Sequence, residues 1–275
     1  MQLRDTRYAI RDTEPMDDRL DPDLIAANLS TRRIGRRVLV YDSTASTNDV
    51  AAEYARNPAN EGLAVFAEEQ TAGRGRTGAR WQSRRGDSLL LSVVLPDYRV
   101  SGELLSLASA VAVAEAIGNV GGSQARIKWP NDIMLNGRKV AGILLESRQA
   151  GNGRTCIVGI GINCHQQLAD LPSDLQATAV SLDMASGVRC ERMTLARRVL
   201  TSLDHWMETA ERSRHQVIRA WSDLSTQLGR RVTLSYAGRT FAGNCIGVDP
   251  EKGLILQLDR GGVRMFDAVH AHIVK

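Results

Sequence analysis

The chain has 275 residues, 43% of them hydrophobic, enough for a packed core and close to the size at which single cores split, so one large and one small domain are expected. Basic residues number 35 against 31 acidic; acidic residues interrupt nearly every arginine run, so bulk charge does not identify a nucleic-acid partner, and 4% aromatic content argues against a surface built to stack unpaired bases. No apolar run approaches the roughly 20 residues that cross a bilayer, and the first forty residues lack the apolar stretch of a secretory signal. A soluble, cytoplasmic chain is therefore expected. Its cysteines, Cys156, Cys164, Cys190 and Cys245, should be reduced, since they form neither a C-x-x-C pair nor a disulfide framework. Lysine occurs only at Lys128, Lys139, Lys252 and Lys275, so a retained lysine is a candidate for a task that needs a compact ammonium.

Residues 1–37 carry eight arginines and seven acidic residues with little apolar periodicity, and predict a flexible arm with one short helix after Asp21-Pro22. Removing residues 1–30 should then leave the rest undisturbed. Residues 38–41 predict a strand, and Ser46-Thr47-Asn48-Asp49 supplies cap candidates and an acidic first turn for a helix through Arg56. Segments 63–67 and 88–95 predict strands, the second apolar enough to be buried on both faces. Residues 103–117 are apolar on every side and end at Gly118, as a buried helix would. Residues 126–129 and 155–162 predict further strands, with a hairpin at Asn136-Gly137 between them. One helical stretch is expected over 194–224. After Gly229, segments 232–236, 241–248, 253–258 and 263–266 predict short strands of a small, nearly closed β module.

Three segments could carry chemistry. Gly73-Arg74-Gly75-Arg76-Thr77-Gly78 satisfies G-x-G-x-x-G, but no apolar helical face follows, so the dinucleotide fingerprint fails; Ala79 and Arg80 stand where a phosphate loop needs Lys and Ser or Thr. What remains is a glycine loop whose Arg74 and Arg76 could grip a carboxylate or phosphate through paired donors, or a solvated basic turn. In the second segment, Lys128-Trp129-Pro130-Asn131-Asp132 runs into the hairpin. With Asn136 and Gly137 as its turn, Met134 pairs with Lys139 and Asp132 with Ala141, so Asp132, Met134, Lys139 and Ala141 share a face. Asp132 and Lys139 then sit about 7 to 8 Å apart at the backbone, a seat for a phosphate and its metal ion or a surface ion pair. In the third segment, Gly159-Ile160-Gly161-Ile162-Asn163, glycines inside an apolar strand imply a close approach to the backbone, and Asn163 could pair with a base or amide. Cys164 and His165 lack the spaced partners of a metal site.

Together, Ser46-Thr47-Asn48, Gln70-Thr71-Ala72-Gly73-Arg74-Gly75-Arg76-Thr77-Gly78, Lys128-Trp129-Pro130-Asn131-Asp132, Lys139-Val140-Ala141-Gly142-Ile143-Leu144 and Gly159-Ile160-Gly161-Ile162-Asn163 resemble the ordered blocks of bacterial biotin protein ligases, over most of the chain from Val38 onward. The resemblance implies an α+β fold: a mixed-sheet catalytic domain over 38–228 and a small C-terminal SH3-like β-barrel over 229–275, behind the arm of 1–37. It implies ATP-dependent activation of biotin to biotinyl-5′-adenylate, then transfer to a lysine of the biotin carboxyl carrier domain of acetyl-CoA carboxylase or a related carboxylase. ATP and biotin would be substrates, with Mg2+ accompanying the nucleotide.

By motif, Ser46, Thr47, Asn48 and Gln70 would bind the ureido end of biotin, with Arg74, Gly75 and Arg76 closing over it and Lys139 meeting the reacting carboxylate or phosphate. Arg74, Arg76 and Lys139 are the catalytic candidates. Arg76, Trp81, Lys128, Asn131, Asp132 and Asn163 would face ATP and the adenylate, Trp81 packing on adenine and Asp132 serving as a magnesium contact. Thirty-seven residues are too few for the winged helix-turn-helix repressor module that many relatives carry, so no specific DNA partner is expected; a homodimer is left open. Residues 176–182 depart from the usual Ala-Thr-Ser-Leu run. Lipoate ligases and octanoyltransferases share the fold and are the nearest enzymatic alternative, and a catalytically silent biotin-binding regulator is the alternative from another class.

Overall fold

The structure, a computed structural model, describes residues 18–27, 29–96, 98–150 and 153–274. Its main sheet has seven strands in the order β1 (Val38–Tyr41), β2 (Ala64–Ala67), β3 (Ser88–Leu95), β9 (Gly153–Asn163), β8 (Arg138–Ala150), β7 (Asp132–Leu135) and β6 (Arg126–Lys128). β1 and β2 pair in parallel and the remaining neighbours are antiparallel, making the sheet mixed. A separate two-strand hairpin, β4 (Asn119–Val120) and β5 (Ser123–Gln124), lies between the third helix and β6. The wholly apolar expectation for 88–95 is met: every residue of β3 is buried, in the middle of the sheet.

Alternation along β3 and β9 separates two faces. Leu89, Leu91, Val93, Val158, Ile160 and Ile162 join the main core, together with α3 (Gly102–Ile117), whose residues are buried on nearly every side. Val65, Val94 and Ile157 point the other way, against Ala51, Ala52 and Ala55 at α2 (Thr47–Tyr54). The candidate positions Ser92, Gly159 and Gly161 lie on that second face. The C-terminal module is an antiparallel sheet in the order β13 (Val263–Phe266), β12 (Gly253–Leu258), β11 (Arg239–Asp249), β10 (Arg231–Tyr236), β14 (Ala271–Ile273), as an SH3-like module requires. Its last strand escaped sequence reading because three residues carry too little alternation to signal a strand.

Three expectations are corrected. The arm is not free from residue 18 onward: Leu20, Ile25 and Ile34 are buried in the main core, around a short helix α1 (Pro22–Ala26) capped by Asp21. Asp204 accepts the backbone N–H groups of Arg32, Arg33 and Ile34 at 2.7, 2.9 and 2.9 Å, and Asp18 accepts from Arg192 Nε at 2.7 Å. A charge-rich segment looked solvated, but its acids and amides are partnered in the core; residues 1–17 lie outside the described residues. The stretch 194–224 is two helices, α5 (Arg192–Arg212) and α6 (Arg214–Leu224), broken at Ser213; α4 (Leu182–Ser186) precedes them. Met134 does pair with Lys139, but a bulge places Asp132 opposite Gly142. Ala141 therefore turns into the core, fully buried, and Gly142 takes its expected place beside Lys139. The cause is a parallel bridge between Lys139 and Ala179: Lys139 N–H donates to Thr178 O and Val180 N–H to Lys139 O.

Candidate functional site

Glycines and small side chains lower the floor of the second sheet face. A Cβ on Gly159 would lie 2.3 Å from Asn48 Oδ1, and one on Gly161 2.5 Å from Trp81 Cε2. The two strand glycines thus admit the chain's own Asn48 and Trp81, which is the close approach their cost implies. Ser92, the single hydroxyl between apolar neighbours in β3, donates to Asn48 Oδ1 at 2.6 Å and lies 2.7 Å from Thr47 Oγ1. The signal for Ser92 was present in the sequence and was missed.

Above this floor is a cavity of about 230 Å3 lined by Ser46, Thr47, Asn48, Gln70, Arg74, Gly75, Arg76, Trp81, Asn131, Asp132 and Lys139, with Gly142, Leu144, Gly159 and Gly161 beneath. Residues from five sequence blocks therefore meet. Thr47 donates from its backbone N–H and its hydroxyl to Gln70 Oε1 at 2.7 and 3.0 Å. Ser46 is buried at the α2 N-cap and makes no side-chain capping bond. Asn48 Nδ2 is buried without a hydrogen-bond partner, an unspent donor in the cavity wall.

Lys128 and Asn163 do not line that cavity. They line an adjoining one of about 570 Å3, with Ala79, Arg80, Trp81, Asp132 and Lys139 common to both. Trp81 stands between the two, its indole 5.7 Å from Lys139 Nζ and its Nε1 buried without a partner. Asn163 Nδ2 donates to Val180 O at 3.2 Å, tying β9 to the segment 176–182 that departs from the usual run.

The cations are compensated differently. Lys139 Nζ pairs with Asp132 Oδ1 at 2.6 Å. Arg74 donates to both oxygens of Asp49 at 2.7 Å and reaches Glu146 Oε1 at 3.4 Å; in the sequence Asp49 is read only as the acid of the first helical turn and Glu146 is not singled out. Arg76 instead donates to neutral acceptors, the Ala268 carbonyl, Ala271 O at 3.4 Å and Asn131 Oδ1 at 3.3 Å. Burial pulls its guanidinium below the usual arginine range, against Asp132, Glu103 and Asp267. A half-buried cation with no carboxylate in contact favours the arrival of an anion. Asn131 Nδ2 donates to Ile143 O at 2.7 Å, which fixes the oxygen that Arg76 meets.

Among the described residues no cluster of three His, Cys, Asp or Glu side chains could hold a metal, and no helix is long and apolar enough to cross a membrane. His165 is bound at both ring nitrogens, by Asp18 at 2.7 Å and Asp183 at 2.8 Å. The four cysteines are free.

A sequence profile described as the Biotin/lipoate A/B protein ligase family matches residues 40–163. The chain is 34% identical to the bifunctional ligase/repressor BirA of Bacillus subtilis strain 168, over 91% of this chain and 78% of that protein. It is 31% identical to the biotin–[acetyl-CoA-carboxylase] ligase of Mycobacterium tuberculosis, over 92% of this chain and 98% of that one. Among solved structures, the biotin protein ligase from Aquifex aeolicus in complex with biotin and ATP superposes with a TM-score of 0.75 at 25% identity, covering 86% of this chain and 98% of the other.

Proposed function

Since the chain belongs to the biotin protein ligase family, we propose that its shared cavity activates biotin with ATP and passes it to a lysine of a biotin carrier domain of acetyl-CoA carboxylase or a related carboxylase. In the first step a biotin carboxylate oxygen attacks the α-phosphorus and pyrophosphate leaves, giving biotinyl-5′-adenylate. In the second, the lysine amine attacks the acyl carbon and AMP leaves. The first step brings two anions together and the second builds negative charge on the departing AMP, so cations fixed in advance lower both barriers.

The observation that carries this reading is the convergence of Ser46, Thr47, Asn48, Gln70, Arg76 and Lys139 on one cavity. The ureido ring fits the polar end: its oxygen supplies the acceptor that Asn48 Nδ2 lacks, and its N–H groups meet the hydroxyls of Ser46 and Thr47. A dithiolane ring offers neither, which sets lipoate apart. Lys139 and Arg76 flank the carboxylate and α-phosphate, and Asp132 keeps Lys139 directed at them. The adenosine occupies the adjoining cavity of Lys128 and Asn163, with Trp81 at the junction as its packing partner. Mg2+ accompanying the triphosphate would find one protein carboxylate here, that of Asp132, and would draw its remaining ligands from phosphate and water. Free thiols and an ATP requirement suit a cytoplasmic setting.

Exchange of labelled pyrophosphate into ATP tests the reading. It should depend on biotin and fall roughly a hundredfold to a thousandfold in Lys139→Gln at saturating biotin. Exchange driven by lipoate would move the chain to the lipoate branch, and no exchange with either acid would end the ligase reading.

A further inference from the structure

Arg74 and Arg76 lie on one loop, yet Arg74 does not share the other's access to an anion. Arg74 lines the cavity as Arg76 does, but its guanidinium is engaged by two carboxylates and bridges two elements: Asp49, in the first turn of α2 immediately after Asn48, and Glu146, on β8 two residues beyond the floor residue Leu144. Asp49 and Glu146 do not line the cavity. The base of the loop is tied down by Thr71 N–H to Thr44 O and Ala72 N–H to Ala45 O, both at 2.9 Å. From Gly73 to Trp81 the backbone bonds are internal to the loop, Gly75 N–H to Ala79 O at 2.7 Å and Trp81 N–H to Gly73 O at 3.0 Å. The Arg74 side chain is therefore a tether between this part of the loop and both α2 and β8. Glu146 Oε2 is buried without a partner, so the guanidinium can shift toward β8 and keep its charge compensated.

We propose that Asp49 and Glu146 are positioning residues: together they form an acidic catch that, through Arg74, holds the glycine loop closed over bound biotin and its adenylate. The proposal rests on the reading of the cavity as the biotin site. It divides the labour of the loop, with Arg76 meeting the anion and Arg74 engaged by the protein's own carboxylates. The Arg74 pair holds Asp49 below the usual carboxylate range, against a smaller opposing effect of burial, so Asp49 is charged at neutral pH. Opening the loop admits water, which attacks the acyl carbon of the adenylate and releases biotin and AMP without labelling the carrier.

Asp49→Asn, Glu146→Gln and the conservative Asp49→Glu should be compared with Asp259→Asn, which breaks a more exposed pair on the C-terminal module, where Arg231 Nε and one terminal nitrogen both donate to Asp259 Oδ2. The first readout is tryptic cleavage after Arg76 and Arg80 in the ligand-free protein; the second is the ratio of AMP released to carrier biotinylated. Asp49→Asn should raise both about threefold, the scale of a partly exposed ion pair, and Glu146→Gln should raise both less. Asp49→Glu and Asp259→Asn should match the wild type. Unchanged cleavage and ratio in Asp49→Asn would overturn the catch, as would a lower melting temperature with an unchanged ratio, because the carboxylate would then only stabilise the fold. A wild type that forms no adenylate would remove the biotin reading itself; one that forms it while Asp49→Asn does not leak removes the catch alone.

Discussion

Residues 18–37 and the loop 70–81 look alike in sequence, both rich in arginine and poor in apolar residues, and the structure treats them oppositely. The first is stitched into the core. Arg192 pairs with Glu68 at 2.8 Å, with side chains 3% and 4% exposed, and also holds Asp18; Glu68 in turn accepts the Leu20 N–H at 2.7 Å. The loop depends on Arg74 and Asp49, 39% and 44% exposed. A buried pair that loses one member leaves an uncompensated charge and costs about 3 to 5 kcal/mol, whereas an exposed pair is worth about 1 kcal/mol or less. Charge content does not distinguish a clasp from a gate; the burial of the partner does.

The largest expected effect comes from truncation. Deleting residues 1–30 removes the buried Leu20 and Ile25, roughly 3 to 6 kcal/mol at about 1.5 to 3 kcal/mol for each side chain, and strips partners from Arg192, Glu68 and His165. Denaturant melts should show a much less stable protein, contrary to the free arm the sequence suggested; an unchanged midpoint would return the segment to the class of the loop.

A smaller effect separates the two arginines. Arg192→Ala should destabilise by about 3 to 5 kcal/mol and Arg74→Ala by about 1 kcal/mol at most, measured in the same melts. Equal losses would erase the distinction.

The pH dependence is smaller still and runs in opposite directions. Burial opposes the charged form of His165, but Asp18 and Asp183 outweigh it and raise its pKa. Its stabilising contribution is therefore complete below the ordinary value of about 6.5 and is lost as pH rises through the higher folded value. Asp49, held low chiefly by its bond to Arg74, contributes above the ordinary aspartate value and weakens only as pH falls through its lowered one. Between pH 6 and pH 8 the N-terminal clasp should loosen while loop cleavage stays constant, and His165→Gln should flatten the stability trend.

Much of the site was legible because its chemistry needs particular residue types at short spacing. The cationic glycine loop, the lysine paired with Asp132, and the glycines of β9 were each readable as such. Position across the sheet was harder. The bulge that seats Gly142 beside Lys139 depends on pairing with Thr178 and Val180, some forty residues away, and no local pattern announces it. Asp49 was readable only as the acid of a first helical turn and Glu146 carried no signal, since the fold alone brings them to Arg74. The short β14 and the break at Ser213 carry too little periodicity of their own. Ser92, by contrast, was missed although it is a hydroxyl flanked by apolar residues within a wholly buried strand.

Amide hydrogen exchange across both regions, with and without biotin and ATP, tests the contrast most directly. The amides of Leu20, Arg32, Arg33 and Ile34 should already be protected in the free protein and change little. Those of residues 73–81 should exchange quickly at first and become protected when both substrates are present. Rapid exchange at Leu20 and Ile34, or a glycine loop equally protected with and without substrates, would contradict the account.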